Sequence, residues 1–320
     1  MKKIVVVPRL PPPILEQIAQ FGEVLVPRSE TRLDAAGIRD LMRDADAALV
    51  TAIDPVDAET IAACPKLKLI CNIGVGYDNI DMAAAREHGI TVTNTPGAMD
   101  DAVADLVFGM IIGAARRLPQ ADAFVRAGNW TPDNLTAFGL GMDVSRKTLG
   151  IIGFGRIGRV IARRASGFEM RTLYVDSSSA APDIEAELRA ERTDLDRLLA
   201  ESDFVVVQVP YGPPTRHMIG APQIARMKPT AVLIHAGRGG VVDDTALAAA
   251  LKAGKIAAAA VDCFEDEPKV NAALLECPNV LLTPHIGSAT PDTRMGMVRM
   301  ALGNLIAAMQ GKTPPNVAGG

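Results

Sequence analysis

The sequence predicts an α/β protein built from two doubly wound, parallel-sheet domains. Short apolar runs alternate with helical patterns from the N-terminus onward, as in βα units whose sheet is covered on both faces. The alternation occurs in two series, parted after Pro96-Gly97 by a long amphipathic stretch. At 320 residues the chain is also long for one domain.

In the first series, strands are expected at residues 4–7, 24–26, 47–51, 67–72 and 91–93, with helices at 13–20, 35–43, 58–63 and 82–88. Two long helices, 101–116 and 118–128, lead through an irregular segment to Arg146 and the second series. Its strands are expected at 149–152, 171–175, 204–208, 231–235, 257–261 and 280–282. Its helices are expected at 157–167, 193–199 and 243–253, the last stopped by Gly254 at the C-cap. A final helix over 291–309 follows the last strand, so the chain is expected to return to the first domain. The boundaries expected are 1–97 with 289–320, and 98–288. The tail 313–320 reads as frayed.

Apolar residues make up 48% of the chain and aromatic ones only 4%, as befits helices packed closely on parallel strands. A net charge of −4 with no basic patch argues against nucleic acid and anionic membranes as partners. No apolar run reaches the ~18 residues that span a bilayer. The apolar run after Met1-Lys2-Lys3 breaks at Pro8-Arg9, which makes it a first strand rather than a signal peptide. Cys64, Cys71, Cys263 and Cys277 form no close metal-type pair, so no metal site is expected; they read as thiols of a reducing cytoplasm.

Chemistry concentrates in Gly150-Ile151-Ile152-Gly153-Phe154-Gly155-Arg156-Ile157-Gly158, a buried strand turning through glycines into a helix. Such a turn aims backbone N–H groups, here including those of Arg156 and Ile157, and the positive helix end at a pyrophosphate. Gly153 permits the tight turn, Gly155 lets the diphosphate approach, and Gly158 lets the helix lie against the strand. Asp176 ends the next strand, where a carboxylate accepts hydrogen bonds from ribose hydroxyls. A carboxylate repels a 2′-phosphate, and Ser177, Ser178 and Ser179 follow with no Arg or Lys beside them, so NAD(H) is favoured over NADP.

Three polar segments follow predicted strands, on the rim where open α/β sheets bind ligands. Arg238, set between glycines in His235-Ala236-Gly237-Arg238-Gly239-Gly240, either grips a carboxylate bidentately or pairs with a neighbouring acid. The acids of Asp262-Cys263-Phe264-Glu265-Asp266-Glu267-Pro268 are locally indistinguishable. His285, one of four histidines, lies in Thr283-Pro284-His285-Ile286-Gly287 and reads equally as an acid/base group or a structural residue.

Together with the fingerprint, these segments resemble the D-2-hydroxyacid dehydrogenase family over nearly the whole chain. Val75-Gly76-Tyr77-Asp78-Asn79-Ile80-Asp81 and Thr93-Asn94-Thr95-Pro96-Gly97 add to the resemblance, as do Arg238, Glu267 and His285 in that order. It implies a flavodoxin-like substrate domain and a Rossmann NAD-binding domain with a cleft between them. The implied enzyme is NAD-dependent and interconverts a small 2-oxo acid and its D-2-hydroxy acid. Arg238 would hold the substrate carboxylate, with the backbone N–H groups of Val75 and Gly76 on its other side. His285 would donate or accept the proton, and Glu267 would orient the imidazole and stabilise its cation. Asp262 would contact the nicotinamide end, Pro210, Thr215 and Ala236 would line the cofactor groove, and the loop of His285 and Gly287 would border it. The resemblance further implies a cytoplasmic homodimer joined through 101–116 and 118–128.

The departures are local. His235 stands where the family usually has Asn, and is read as a strand-end packing residue. Tyr211-Gly212-Pro213 replaces the family's common Leu-Thr-Pro. Val75 replaces the lysine of phosphite-oxidising relatives, which disfavours phosphite. Glyoxylate or hydroxypyruvate is the substrate expected from family frequency, with D-lactate and D-3-phosphoglycerate (short form) as alternatives. The rival from another class is a non-catalytic NAD(H) sensor like the corepressors of this fold. Alanine dehydrogenase and adenosylhomocysteine hydrolase share the two-domain build but not the triad.

Overall fold

A computed structural model describes residues 1–28 and 31–319, and divides the chain into two compact units, 1–99 with 290–320 and 100–289. In the first unit the strands are β1 (Lys3–Val6), β2 (Glu23–Leu25), β3 (Ala47–Thr51), β4 (Leu69–Ile73) and β5 (Thr91–Thr93). They pair in parallel in the order β2-β1-β3-β4-β5, the flavodoxin-like winding. Helices α1 (Pro12–Ala19), α2 (Ala35–Met42), α3 (Ala58–Ala62) and α4 (Met82–Glu87) connect them. Asp34, Asp57 and Asp81 cap α2, α3 and α4 by accepting from first-turn amides, which explains why these short helices start where they do. His88 ends α4 with Nδ1 2.9 Å from the Ala84 carbonyl oxygen.

In the second unit come α5 (Asp100–Ala115), α6 (Leu118–Arg126) and a short 3₁₀ turn, Pro132–Asn134. Its strands are β6 (Thr148–Ile152), β7 (Arg171–Val175), β8 (Ala190–Arg192), β9 (Phe204–Val207), β10 (Val232–His235), β11 (Ala258–Val261) and β12 (Val280–Leu282). The order β12-β11-β10-β9-β6-β7-β8, parallel throughout, is the Rossmann winding with its switch point between β6 and β9. Between strands lie α7 (Arg156–Ser166), α8 (Pro182–Leu188), α9 (Leu195–Glu201), α10 (Ala221–Ile224), α11 (Asp244–Lys252) and α12 (Ala272–Leu275). Then α13 (Pro291–Met309) carries the chain back, burying Met297, Val298, Ala301, Leu302 and Leu305 against β1, β3 and β4 of the first unit.

Two expectations are corrected. The edge strand β8 and the helix α8 before it were not foreseen: Ala190-Glu191-Arg192 buries one side chain in three, too few for an apolar signal. The tail is not frayed: the Ala318 amide donates to Val92, Val317 bridges Thr93, and Asn316 Nδ2 donates to the Asn304 side chain, while Gly320 lies outside the described residues. In α5, Val103, Val107, Phe108, Met110 and Ile111 are buried, and the helix packs on α7 and on β10 to β12 of its own unit. By contrast α6 buries no residue. Among the described residues, no helix is long and apolar enough to cross a membrane.

Candidate active site

The turn from β6 into α7 is built as the cofactor geometry requires. Gly153 has φ +101°, and a Cβ there would sit 2.6 Å from the Gln208 carbonyl oxygen. At Gly158 a Cβ would lie 2.2 Å from the Gly153 carbonyl oxygen, so helix and loop can approach only with glycine present. Gly155 differs: a Cβ there meets no protein atom within 4 Å, so protein packing does not require glycine. The open space there suits an incoming diphosphate. No side chain caps α7, leaving its first-turn amides, with Arg156 and Ile157 on that turn, to an anion. Arg156 itself is exposed, with Nε 3.7 Å from Asp100. These residues fit a dinucleotide.

Asp176 follows β7. Its Oδ2 accepts the Phe154 amide at 2.7 Å, and its Oδ1 accepts Ser177 Oγ at 3.1 Å. Sequence neighbours offered it no cation, but the fold does. Arg192, at the end of β8, donates to the Asp176 carbonyl oxygen at 3.1 Å and to Ser179 Oγ at 2.9 Å. The reading of this corner as free of Arg and Lys is therefore wrong, because parallel pairing of β7 with β8 brings Arg192 beside residues it does not neighbour in sequence.

Arg238, Glu267 and His285 all lie just beyond the C-terminal ends of β10, β11 and β12. His285 Nδ1 is 2.7 Å from Glu267 Oε2, and Glu267 Oε1 accepts the Phe264 amide at 2.9 Å. Burial works to raise the Glu267 carboxyl, but the His285 hydrogen bond and charge, the Phe264 amide and Arg238 outweigh it and hold it below the ordinary glutamate value. The carboxylate is thus ionised and aimed at His285. Of the acids in that run, Glu267 is the one the fold turns toward the imidazole.

Glycine surrounds Arg238 for a packing reason. A Cβ at Gly239 would lie 1.7 Å from the Phe264 carbonyl oxygen, and Gly240 has φ +78°. Arg238 Nη1 donates to the Gly237 carbonyl at 3.1 Å, and its charge acts on Glu267.

Asp262, fully buried at the end of β11, holds the His285 loop. Its Oδ1 accepts Thr283 Oγ1 at 2.6 Å and the Ile286 amide at 2.8 Å; its Oδ2 accepts the Gly287 amide at 3.0 Å. The clamp helps hold His285 at φ +51°, a backbone region that costs a non-glycine residue on the order of 1 kcal/mol or more.

On the neighbouring loop, Thr215 Oγ1 donates to the Pro210 carbonyl at 2.7 Å, and the Ala236 carbonyl accepts Gln208 Nε2 at 3.2 Å. His235 ends β10 with no solvent exposure, and neither ring nitrogen makes a well-formed hydrogen bond. Burial drives its pKa down to about 4, tempered by backbone groups of Val207 and Arg238 and by Glu267, so the ring is neutral. In the first unit, Val75 and Gly76 follow β4. Asn94 Nδ2 donates to the Val75 carbonyl at 2.8 Å and Asn72 Nδ2 to that of Gly76 at 2.7 Å. Among the described residues neither Val75 nor Gly76 donates its amide to a protein acceptor.

Residues 108–287 match the sequence pattern of the D-isomer specific 2-hydroxyacid dehydrogenase, NAD binding domain. The chain belongs to the D-isomer specific 2-hydroxyacid dehydrogenase family. As a 2-hydroxyacid dehydrogenase it is an oxidoreductase using NAD(H) on a small 2-oxo or 2-hydroxy acid. It is similar to glyoxylate reductase of Thermococcus litoralis, with 43% identity over 318 residues that cover 98% of this chain and 96% of that protein. Glyoxylate reductase of Korarchaeum cryptofilum is 44% identical over 316 residues, 98% of this chain and 95% of that protein. Among solved structures, the NADPH-dependent glyoxylate/hydroxypyruvate reductase from Sinorhizobium meliloti in complex with NADP and malonate superposes with a TM-score of 0.88. It is 34% identical, over 99% of this chain and 97% of that one.

Sequence reasoning about this dehydrogenase missed Arg192 and the Asp262 clamp. Nothing local signals either, since both depend on strand pairing.

Proposed function

We propose that this dehydrogenase is a glyoxylate or hydroxypyruvate reductase, working chiefly with NADH. The observation that carries the reading is the His285–Glu267 pair, 2.7 Å apart, on the same sheet rim as Arg238 and the glycine turn. The names of the relatives support the choice of substrate.

Bound NADH supplies hydride to the substrate C2. Arg238 pairs with the substrate carboxylate, and the amides of Val75 and Gly76 are proposed as further donors to it. Nε2 of His285 gives its proton to the oxygen that becomes the hydroxyl, while Glu267 keeps the ring oriented through Nδ1 and stabilises its cation. In the reverse direction Nε2 is the base. Gly153, Gly155, Arg156, Ile157 and Gly158 hold the diphosphate, and Asp176 the ribose. Pro210, Thr215, Ala236, Asp262 and Gly287 border the nicotinamide end; the carboxylate of Asp262 acts there through the loop it clamps.

Two further readings belong to this proposal. The chain is cytoplasmic, in keeping with four cysteines outside any disulfide. It forms a homodimer through α6 and the segment after it, where Leu118, Val125, Trp130, Leu135 and Leu140 are exposed.

The test is NADH oxidation by the purified chain with glyoxylate, hydroxypyruvate, pyruvate and larger 2-oxo acids, with NADPH in parallel. Rapid turnover of one of the two small acids with NADH supports the reading. Tight NADH binding without turnover of any acid overturns it in favour of a sensor.

A further inference from the structure

Cys263 lies directly after Asp262, fully buried, with its Sγ 3.8 Å from Nε2 of His285 and 3.4 Å from the Gly237 carbonyl oxygen that accepts from it. One ligand atom from each of Cys263, Glu267 and His285 lies within 4.8 Å of the others. No linear motif announces this group, because β11 and the loop after β12 bring the residues together.

Two features make the arrangement suited to a metal ion. With Zn–S near 2.3 Å and Zn–N near 2.0 to 2.1 Å, a tetrahedral ion holds its sulfur and nitrogen ligands about 3.6 Å apart. The spacing here is 3.8 Å. The second feature is the carboxylate behind the ring. Glu267 accepts from Nδ1, which fixes the neutral tautomer with its lone pair on Nε2, the nitrogen that faces Cys263. Carboxylate–histidine pairs of this kind orient imidazole ligands and make them more basic toward zinc.

We propose that Cys263 and His285 form an inhibitory site for a borderline-soft divalent cation, Zn²⁺ or Cd²⁺, with Glu267 orienting the histidine from outside the coordination sphere. Binding releases the Cys263 S–H proton to solvent and forms metal–sulfur and metal–nitrogen bonds. Solvent completes the coordination, and the ion enters along the half-exposed His285 side chain. Thiolate with imidazole selects Zn²⁺ and Cd²⁺ over Mg²⁺ and Ca²⁺. Occupation takes the Nε2 lone pair that proton transfer needs, so turnover stops while the ion is bound. The inhibitory consequence rests on the dehydrogenase reading; the binding itself does not.

The experiment is a Cd²⁺ titration of the full chain, followed by the ultraviolet thiolate-to-cadmium charge-transfer band, beside Zn²⁺ inhibition of NADH oxidation and its reversal by EDTA. The expected band is absent in Cys263→Val and needs at least about tenfold more Cd²⁺ in His285→Gln, with a similar shift in Glu267→Gln. Cys263→Val, or Cys263→Ser should valine not fold, keeps its metal-free turnover and tolerates at least about tenfold more Zn²⁺. An equal band in wild type and Cys263→Val overturns the site, since Cys64, Cys71 or Cys277 would then be the ligand, and an unchanged band in His285→Gln overturns it because the imidazole then takes no part. Should no 2-oxo acid be turned over, the Cd²⁺ band still decides.

Discussion

The guanidinium of Arg192 donates to the carbonyl oxygen of Asp176 at 3.1 Å, placing a cation beside the acid proposed to hold the cofactor ribose. Two opposite preferences therefore meet at one corner: the carboxylate repels a 2′-phosphate and the guanidinium attracts it. Asp176→Ala is expected to lower kcat/KM for NADH about tenfold, through lost ribose hydrogen bonds, and to raise use of NADPH. Adding Arg192→Ala should remove that NADPH gain. Steady-state kinetics with both cofactors check this, and an unaltered preference in Asp176→Ala would show that the carboxylate does not face the ribose.

Glu267→Gln preserves the shape of the partner to Nδ1 and removes its charge. Turnover is expected to fall by about 10² or more, within the range of acid–base catalysis, with KM for NADH unchanged. Since the folded carboxyl is held below the ordinary glutamate value, its contribution is complete above the unfolded pKa and is lost as pH falls through the folded one. The Glu267 carboxylate and its contribution to stability should therefore persist through mild acid. A glutamine variant with wild-type turnover would remove Glu267 from the mechanism.

Asp262→Ala deletes three hydrogen bonds that pin the loop of His285. It leaves two amides unsatisfied, at a cost of about 1 to 3 kcal/mol each where they stay buried. Both melting temperature and turnover are expected to drop. A variant that loses stability while keeping full turnover would mean the loop holds its shape without the clamp.

His235 couples stability to acid. Its pKa lies near 4 in the folded chain against 6.5 for the free side chain, so the unfolded state takes up the proton first. Stability is expected to be unaffected by this group above pH ~6.5 and to fall between there and pH ~4, by as much as about 3 kcal/mol in total. His235→Asn should flatten that slope. Urea unfolding at neutral pH and at pH ~5 compares the two chains, and parallel slopes would show that another group controls acid unfolding.

Much of the site is legible in linear order. The glycines of 153–158, the acid at 176 and the trio Arg238, Glu267 and His285 each stand just after an apolar strand, and the rim of a parallel sheet collects such positions. What escapes has a common cause. Ala190–Arg192 is an edge strand with only one buried side chain, so it carries no apolar pattern, and Arg192 travelled with it unseen. The tail 313–319 lacks helix or strand periodicity and gains its order from main-chain bonds to residues 92–94.

By itself the sequence determined the winding class and the glycine turn after β6, because these depend on local periodicity and on residue types at strand ends; the trio Arg238, Glu267 and His285 came from the resemblance to the family. Tertiary structure alone decided which acid faces His285, what Asp262 holds, that Arg192 reaches Asp176, and that Cys263 lies 3.8 Å from Nε2. Those contacts are set by parallel register between strands remote in sequence, and no local pattern encodes a register.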